Sequence, residues 1–157
     1  MKILIPLLAM LAWAVPALAT DDFAKSGLDA HNRERTALGV PPLVWDAGLA
    51  AQAAMWARHL ADTGHFEHTP ADARRGEGEN LWVGTAGSFA PSEMIGAWTA
   101  EKTYFDGGAF KTGITYAHAT GHYTQMVWRT TKAVGCAMAS NRDVDVLVCR
   151  YSPLGNI

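Results

Sequence analysis

The chain has 157 residues, 49% of them hydrophobic and 18% charged, and a formal net charge of −2. So mild a balance excludes the basic footprint of a nucleic-acid-binding domain and a polybasic membrane patch. The length suits one domain with one core.

Lys2 is followed by a mostly apolar run from Ile3 to Ala14 and then by the small-residue triplet Ala17-Leu18-Ala19. A basic start, a short apolar centre and an A-x-A ending predict a secretory signal peptide over residues 1–19, with Thr20 as the mature start. The apolar run is too short and wrongly flanked to span a bilayer. No later stretch is long and apolar enough for a transmembrane segment, so the mature chain is expected to be soluble and either secreted or periplasmic. Removing 19 residues leaves 138, and losing Lys2 leaves 12 basic residues against 15 acidic ones, a formal charge of −3. Cys136 and Cys149 both fall in that part. In an exported protein such a pair reads as a disulfide with one connectivity, which contributes roughly 3 kcal/mol in the chain-entropy model.

Leu28, His31, Arg35 and Leu38 recur at helical spacing and predict a first helix from Asp21 to about Leu38. His31 and Arg35 on that face, with Asn32 beside them, read as a buried polar anchor. Gly39 and Pro41-Pro42 stop the helix. Leu43-Val44-Trp45 is a short extended piece. Asp46 then caps a second helix with the stripe Leu49, Ala53, Trp56 and Leu60, fading at Thr63-Gly64. His59 lies on its polar side.

Residues 64–78 are polar and turn-rich, and unstructured loops of that length in a compact domain are commonly functional. An extended segment, Glu79 to Gly84, follows. A third helix begins near Pro91 with the stripe Met94, Trp98, Glu101 and Phe105. Glu101 stands where an apolar residue is expected, and burying a carboxylate is costly unless it is paired or its pKa shifts. A further loop covers 106–113. Gly121 opens a helical turn or two, and 133–139 and 144–151 predict a β-hairpin joined by residues 140–143. The two cysteines face each other near its middle or lie on neighbouring strands. Trp45, Trp56 and Trp98 read as core, and His65 and His118 as loop residues. Helices and strands in mixed order, without a regular βαβ beat, predict an α+β domain.

The segments HNRERTALGVPPLVWD (31–46), FEHT (66–69), GEGENLW (76–82), AWTAEKTYF (97–105), GHYTQMVWRTTKAVGCA (121–137) and VCRYSPLGN (148–156) occur in an order that resembles the CAP superfamily. This superfamily, also called SCP/TAPS, comprises cysteine-rich secretory proteins, antigen 5 and plant pathogenesis-related proteins. GHYTQ followed by VW and GC is its most specific signature. The resemblance implies one CAP domain over 20–157, a three-layer α-β-α sandwich around a central, largely antiparallel sheet. It also implies a cleft holding His68, Glu79, Glu101 and His122, and a Cys136–Cys149 disulfide. Lacking further cysteines, the chain resembles a minimal single-domain form of a kind common in bacteria. Thr69 stands where serine is usual, which weakens any proposal of a serine nucleophile.

Neutral imidazoles bind Zn²⁺ or another divalent metal, so His68 and His122 are the candidate ligands, with Glu79 and Glu101 behind them or acting as a general base. Without metal, each Glu pairs with a His and orients its ring. Thr69, Asn80, Tyr123 and Gln125 are candidate cleft-lining residues, although Gln125 could equally hold the turn through backbone bonds. The resemblance implies an association with lipid and sterol binding, and the chain is expected to be a monomeric, non-catalytic binding module for a lipid or sterol-like ligand, a divalent metal or an extracellular protein partner. The alternatives are a metal-dependent hydrolase or peptidase using His68, His122 and the two glutamates, and an extracellular structural scaffold.

Overall fold

The computed structural model describes residues 17–106, 109–110 and 120–157. The predicted leader up to Pro16, residue His118 and part of the 106–113 loop lie outside them. Helix α1 spans Ala17–Ala37, and His31 and Arg35 are fully buried on its inner face. Leu38 departs from the predicted stripe and is 42% exposed. The helix has ended by then: the N–H of Val40 bonds back to the Arg35 carbonyl, and Gly39 turns the chain at a φ of 61°.

Strand β1 is the two-residue piece Val44–Trp45, and α2 spans Ala47–Thr63. Asp46 caps α2 by accepting a hydrogen bond from the Leu49 N–H at 2.9 Å, and Gly64 closes it in the left-handed region. Strand β2, Gly78–Thr85, begins one residue before the predicted segment and ends one after it. Helix α3 runs Pro91–Ala100 and tightens into a 3₁₀ turn over Glu101–Tyr104, so Glu101 sits at the end of the α-helix rather than within it. The short strands β3 (Phe105–Asp106) and β4 (Ala109–Phe110) pair with each other. Helix α4, Gly121–Met126, precedes the hairpin of β5 (Ala133–Ser140) and β6 (Val144–Ser152).

The main sheet has the order β1-β5-β6-β2. β5–β6 and β6–β2 are antiparallel, while the short β1 joins β5 in parallel. Cys136 and Cys149 are direct register partners and form the disulfide, with Cα atoms 4.0 Å apart. Side chains alternate across β6, which divides the core in two. Val146 and Val148, with Leu81 of β2, pack on Ala53, Ala57 and Leu60 of α2. Leu147, Cys149 and Tyr151 pack on the other side against Ala30 of α1, Met94, Ile95 and Trp98 of α3, and Met126 of α4. The result is the α-β-α sandwich. Trp98 is core as predicted, whereas Trp45 and Trp56 are half-buried at its margins. The alanines of α2 let it lie close to the sheet, and Gly135 is required there because a Cβ would strike the backbone of Asp46, Leu49 and Ala50.

Candidate functional site

The four residues expected in the cleft form two histidine–glutamate pairs, His68–Glu79 and His122–Glu101, each supported by neighbouring residues of β2 and β6. On the α2 side of the sheet, Glu79 of β2 faces Arg150 of β6 in direct register. Its side chain has no solvent exposure. Oε1 lies 2.8 Å from His68 Nδ1 and accepts the Thr69 backbone N–H at 2.9 Å; Oε2 accepts the Thr69 hydroxyl at 2.7 Å and lies 3.0 Å from Arg150 Nε. Burial alone would raise the Glu79 pKa. The hydrogen bonds from His68 and from the Thr69 hydroxyl and N–H, with the Arg150 charge, outweigh it and hold the carboxyl below its usual value. Arg150 also donates to Thr69 Oγ1 at 2.6 Å and to Glu77 at 3.1 Å. Glu79 is therefore a fixed anion that orients His68, whose side chain remains 52% exposed.

Glu101 does corresponding work on the other side. Its Oε1 lies 2.6 Å from His122 Nδ1, and its Oε2 accepts the backbone N–H groups of His122 and Tyr123 at 3.0 Å each. One carboxylate thus orients the imidazole and satisfies two of the donors left open at the start of α4. The His122 ring stacks on Trp98 with centroids 5.9 Å apart and planes 15° from parallel. Asn80, next to Glu79 on β2 but on the opposite face, donates to the His122 carbonyl at 3.0 Å.

The four candidate lining residues are all buried. Thr69 is engaged with Glu79 and Arg150, and Asn80 with Tyr151 and His122. The Tyr123 hydroxyl bonds Glu34 at 3.4 Å; burial first, and then the Glu34 charge, push its phenol pKa up. Gln125 accepts the Gly155 N–H at 3.0 Å and donates to Thr131 at 3.3 Å, so of its two readings the turn-holding one describes its contacts. Sequence reasoning missed Arg150 and Tyr151, the β6 residues that support the two pairs. The available signal was a charged residue inside the otherwise apolar run Val146 to Tyr151.

Beside α4 lies a hollow of about 810 Å³, walled by Leu38, Val40, Phe105, Val127, Trp128 and Ile157 among others. Its far wall is held by the buried Arg35, which donates to the carbonyls of Pro41, Met126, Trp128 and Thr131 at 2.6–3.0 Å. The predicted polar anchor is thus also the clamp on this turn. Towards a metal, the donor set consists of two imidazoles whose Nδ1 atoms face carboxylates, the arrangement that commonly orients metal-binding histidine. The oxygens of Glu79 and Glu101 are already taken up by protein donors. Among the described residues no group of three or more His, Cys, Asp or Glu is gathered to hold an ion, so this set fits a metal only as His68 and His122 supplemented by ligands from elsewhere.

The family model of the CAP proteins, the cysteine-rich secretory protein family, matches residues 28–151. The chain belongs to the CAP family. Pathogenesis-related protein 1B of Nicotiana tabacum is 37% identical over 131 residues, covering 83% of this chain and 74% of that protein. GLIPR1-like protein 1 of Homo sapiens is 31% identical over 168 residues, covering 96% of this chain and 66% of that one. Secreted protein RBT4 of Candida albicans is 35% identical, but this chain spans 36% of its length. These relatives come from plants, animals and fungi and give no support for a specifically bacterial-type form. Among solved structures, Na-ASP-1 superposes with a TM-score of 0.72 at 25% identity, over 87% of this CAP chain and 40% of that protein. NaASP2, crystallised with Zn²⁺, shares the fold at a TM-score of 0.64 and 24% identity, over 87% of this chain and 82% of that one.

Proposed function

We propose that this CAP protein is an exported, non-catalytic binding module that takes a lipid or sterol-like ligand in the hollow beside α4. The observation that carries this reading is the hollow itself. Its volume of about 810 Å³ falls within the range of small-molecule sites, and large apolar side chains dominate its walls. The Arg35 clamp supports it by presetting the wall that includes Trp128, which lowers the cost of ordering on binding. Export over the leader 1–19, to the periplasm or the medium, agrees with the disulfide, since such bonds persist in oxidising compartments. The test is extraction of radiolabelled cholesterol and palmitate by the purified protein. Saturable binding at micromolar levels, lost in Phe105→Ala/Trp128→Ala, supports the reading; no binding at those levels overturns it.

A second reading concerns His68 and His122 as ligands for zinc or another divalent metal. Their carboxylate-oriented rings favour it, and a CAP relative has been crystallised with Zn²⁺. Calorimetric zinc titration separates the cases, because unchanged affinity in His68→Ala/His122→Ala rejects these ligands. Hydrolysis is favoured less: Glu79 and Glu101 both spend their oxygens on protein donors, which suits orientation better than proton transfer. As a scaffold binding an extracellular partner, the protein would keep that binding when the four residues are replaced.

A further inference from the structure

A second hollow, of about 630 Å³, opens on the opposite side of the sheet from α4, between α2 and the loop that follows His68. Gln52, Met55, Trp56 and His59 line it from α2, one helical stripe beside the stripe that packs on the sheet. The Trp56 indole is fixed in place. Its Nε1–H donates to the Glu67 carbonyl at 3.0 Å, and its ring stacks on His59 with centroids 4.7 Å apart and planes 24° from parallel. Met55 adds a side chain that is 68% exposed. This preformed flat, apolar surface contributes only the margin of the core, so the fold accounts for little of it.

Two guanidinium groups line the same hollow, and they differ in charge balance. Arg150 at its base is neutralised by Glu77 and Glu79. Arg75 at its rim is exposed, and among the described residues its guanidinium has no ion pair or hydrogen bond. Arg75 also holds a φ of 53°, in the left-handed region that favours glycine, directly before Gly76 at 78°. An arginine kept in a conformation where glycine is less strained points to a use for its side chain.

We propose that this hollow binds a small monocarboxylate carrying a flat or ring-shaped body. The body lies against Trp56 and Met55, the carboxylate forms a forked pair with Arg75, and Gln52 Oε1 is the acceptor for a ring hydroxyl or N–H. Gln52 Nε2 is already given to Glu77 at 3.0 Å, which leaves the oxygen for the ligand. An aromatic acid and a uronic-type sugar both meet this chemistry.

The test uses the purified full-length protein and follows the Trp56 indole N–H resonance, assigned by its loss in Trp56→Phe. Phenylacetate and galacturonate are titrated beside their neutral counterparts, phenylacetamide and galactose. The expected result is a saturable shift with at least one acid, binding about 10-fold or more tighter than its neutral counterpart, as a charge-assisted pair requires. A response to phenylacetate alone assigns the aromatic class, and one to galacturonate alone the sugar class. Arg75→Gly is expected to lose about 10-fold or more in acid affinity while raising Tm, and Arg75→Lys to keep part of the affinity. The proposal is overturned if neither acid shifts the resonance at millimolar levels, if the neutral compounds bind as well, or if Arg75→Gly binds unchanged.

Discussion

Tyr151 Oη and His31 Nε2 meet 2.8 Å apart in the core, and neither residue is exposed. The bond has a determined direction. His31 Nδ1 lies 2.8 Å from the Gly27 carbonyl, which only accepts, so Nδ1 carries the proton and Nε2 accepts from the Tyr151 hydroxyl. The Tyr151 oxygen in turn accepts from Asn80 Nδ2 at 3.1 Å, and that amide also reaches the His122 carbonyl. A directed chain of hydrogen bonds therefore runs from α1 through β6 and β2 to α4.

That chain predicts an acid-sensitive fold. Burial is the largest effect on His31, and it lowers the imidazole pKa from 6.5 to about 4. Above pH 6.5 the ring is neutral in folded and unfolded chains alike. Between pH 6.5 and 4 only the unfolded chain takes up the proton, so stability falls as the pH falls, by about 3 kcal/mol in total from this residue. Urea midpoints measured from pH 7.5 to 4 are expected to show the decline, and His31→Gln to flatten it. An equal slope in the variant would refute the assignment.

Glu79 stands between His68, Thr69 and Arg150, so its loss strands a nearly buried guanidinium beside Glu77 alone. Glu79→Ala is expected to cost about 3 kcal/mol in urea denaturation. Its carboxyl pKa is held low, so this stabilisation is present above the ordinary carboxylate range and lost as pH falls through the folded pKa. A change within about 0.5 kcal/mol would mean the ion pair contributes nothing net.

Glu101→Ala removes the acceptor for the His122 and Tyr123 N–H groups as well as the imidazole partner. The expected cost is about 2 kcal/mol. Amide exchange should accelerate at His122 and Tyr123 while β5 and β6 keep their protection. Uniform acceleration across the sheet would show that α4 has no separate opening.

Cys136→Ala/Cys149→Ala opens a link between residues 13 apart in sequence, already paired across β5 and β6. The expected loss is about 2–3 kcal/mol in thermal or urea unfolding, with the fold retained. Retention of fold is read by the near-ultraviolet signal of Trp98, which is packed on the same side of the sheet.

Much of the architecture was legible because local rules carried it. Asp46 and Gly64 bracket α2 by capping chemistry, and alternation plus a short turn sequence mark the β5–β6 hairpin. Helical spacing turned Glu101 inward, although the 3₁₀ turn that seats it was not visible, since a tightened last turn leaves no local signature. Leu38 misled because periodicity runs on past a helix end. Arg150 and Tyr151 passed unnoticed because adjacent strand residues act on opposite faces, and their partners lie 71 to 120 residues upstream, in α1, the loop before β2 and β2 itself.

The sequence by itself determined the longer helices and strands, the two-cysteine link, the anchor role of His31 and Arg35, and the kinship carried by its ordered motifs, but not the 3₁₀ turn or the short β3–β4 pair. Each of these depends on near neighbours or on residue type. Only the tertiary structure decided that the histidines and glutamates stand as His68–Glu79 and His122–Glu101, one pair supported from each side of β2. Strand order, sheet register and the bond from Trp56 that ties α2 to the loop before β2 set those meetings, and all three depend on long-range burial of one apolar surface against another.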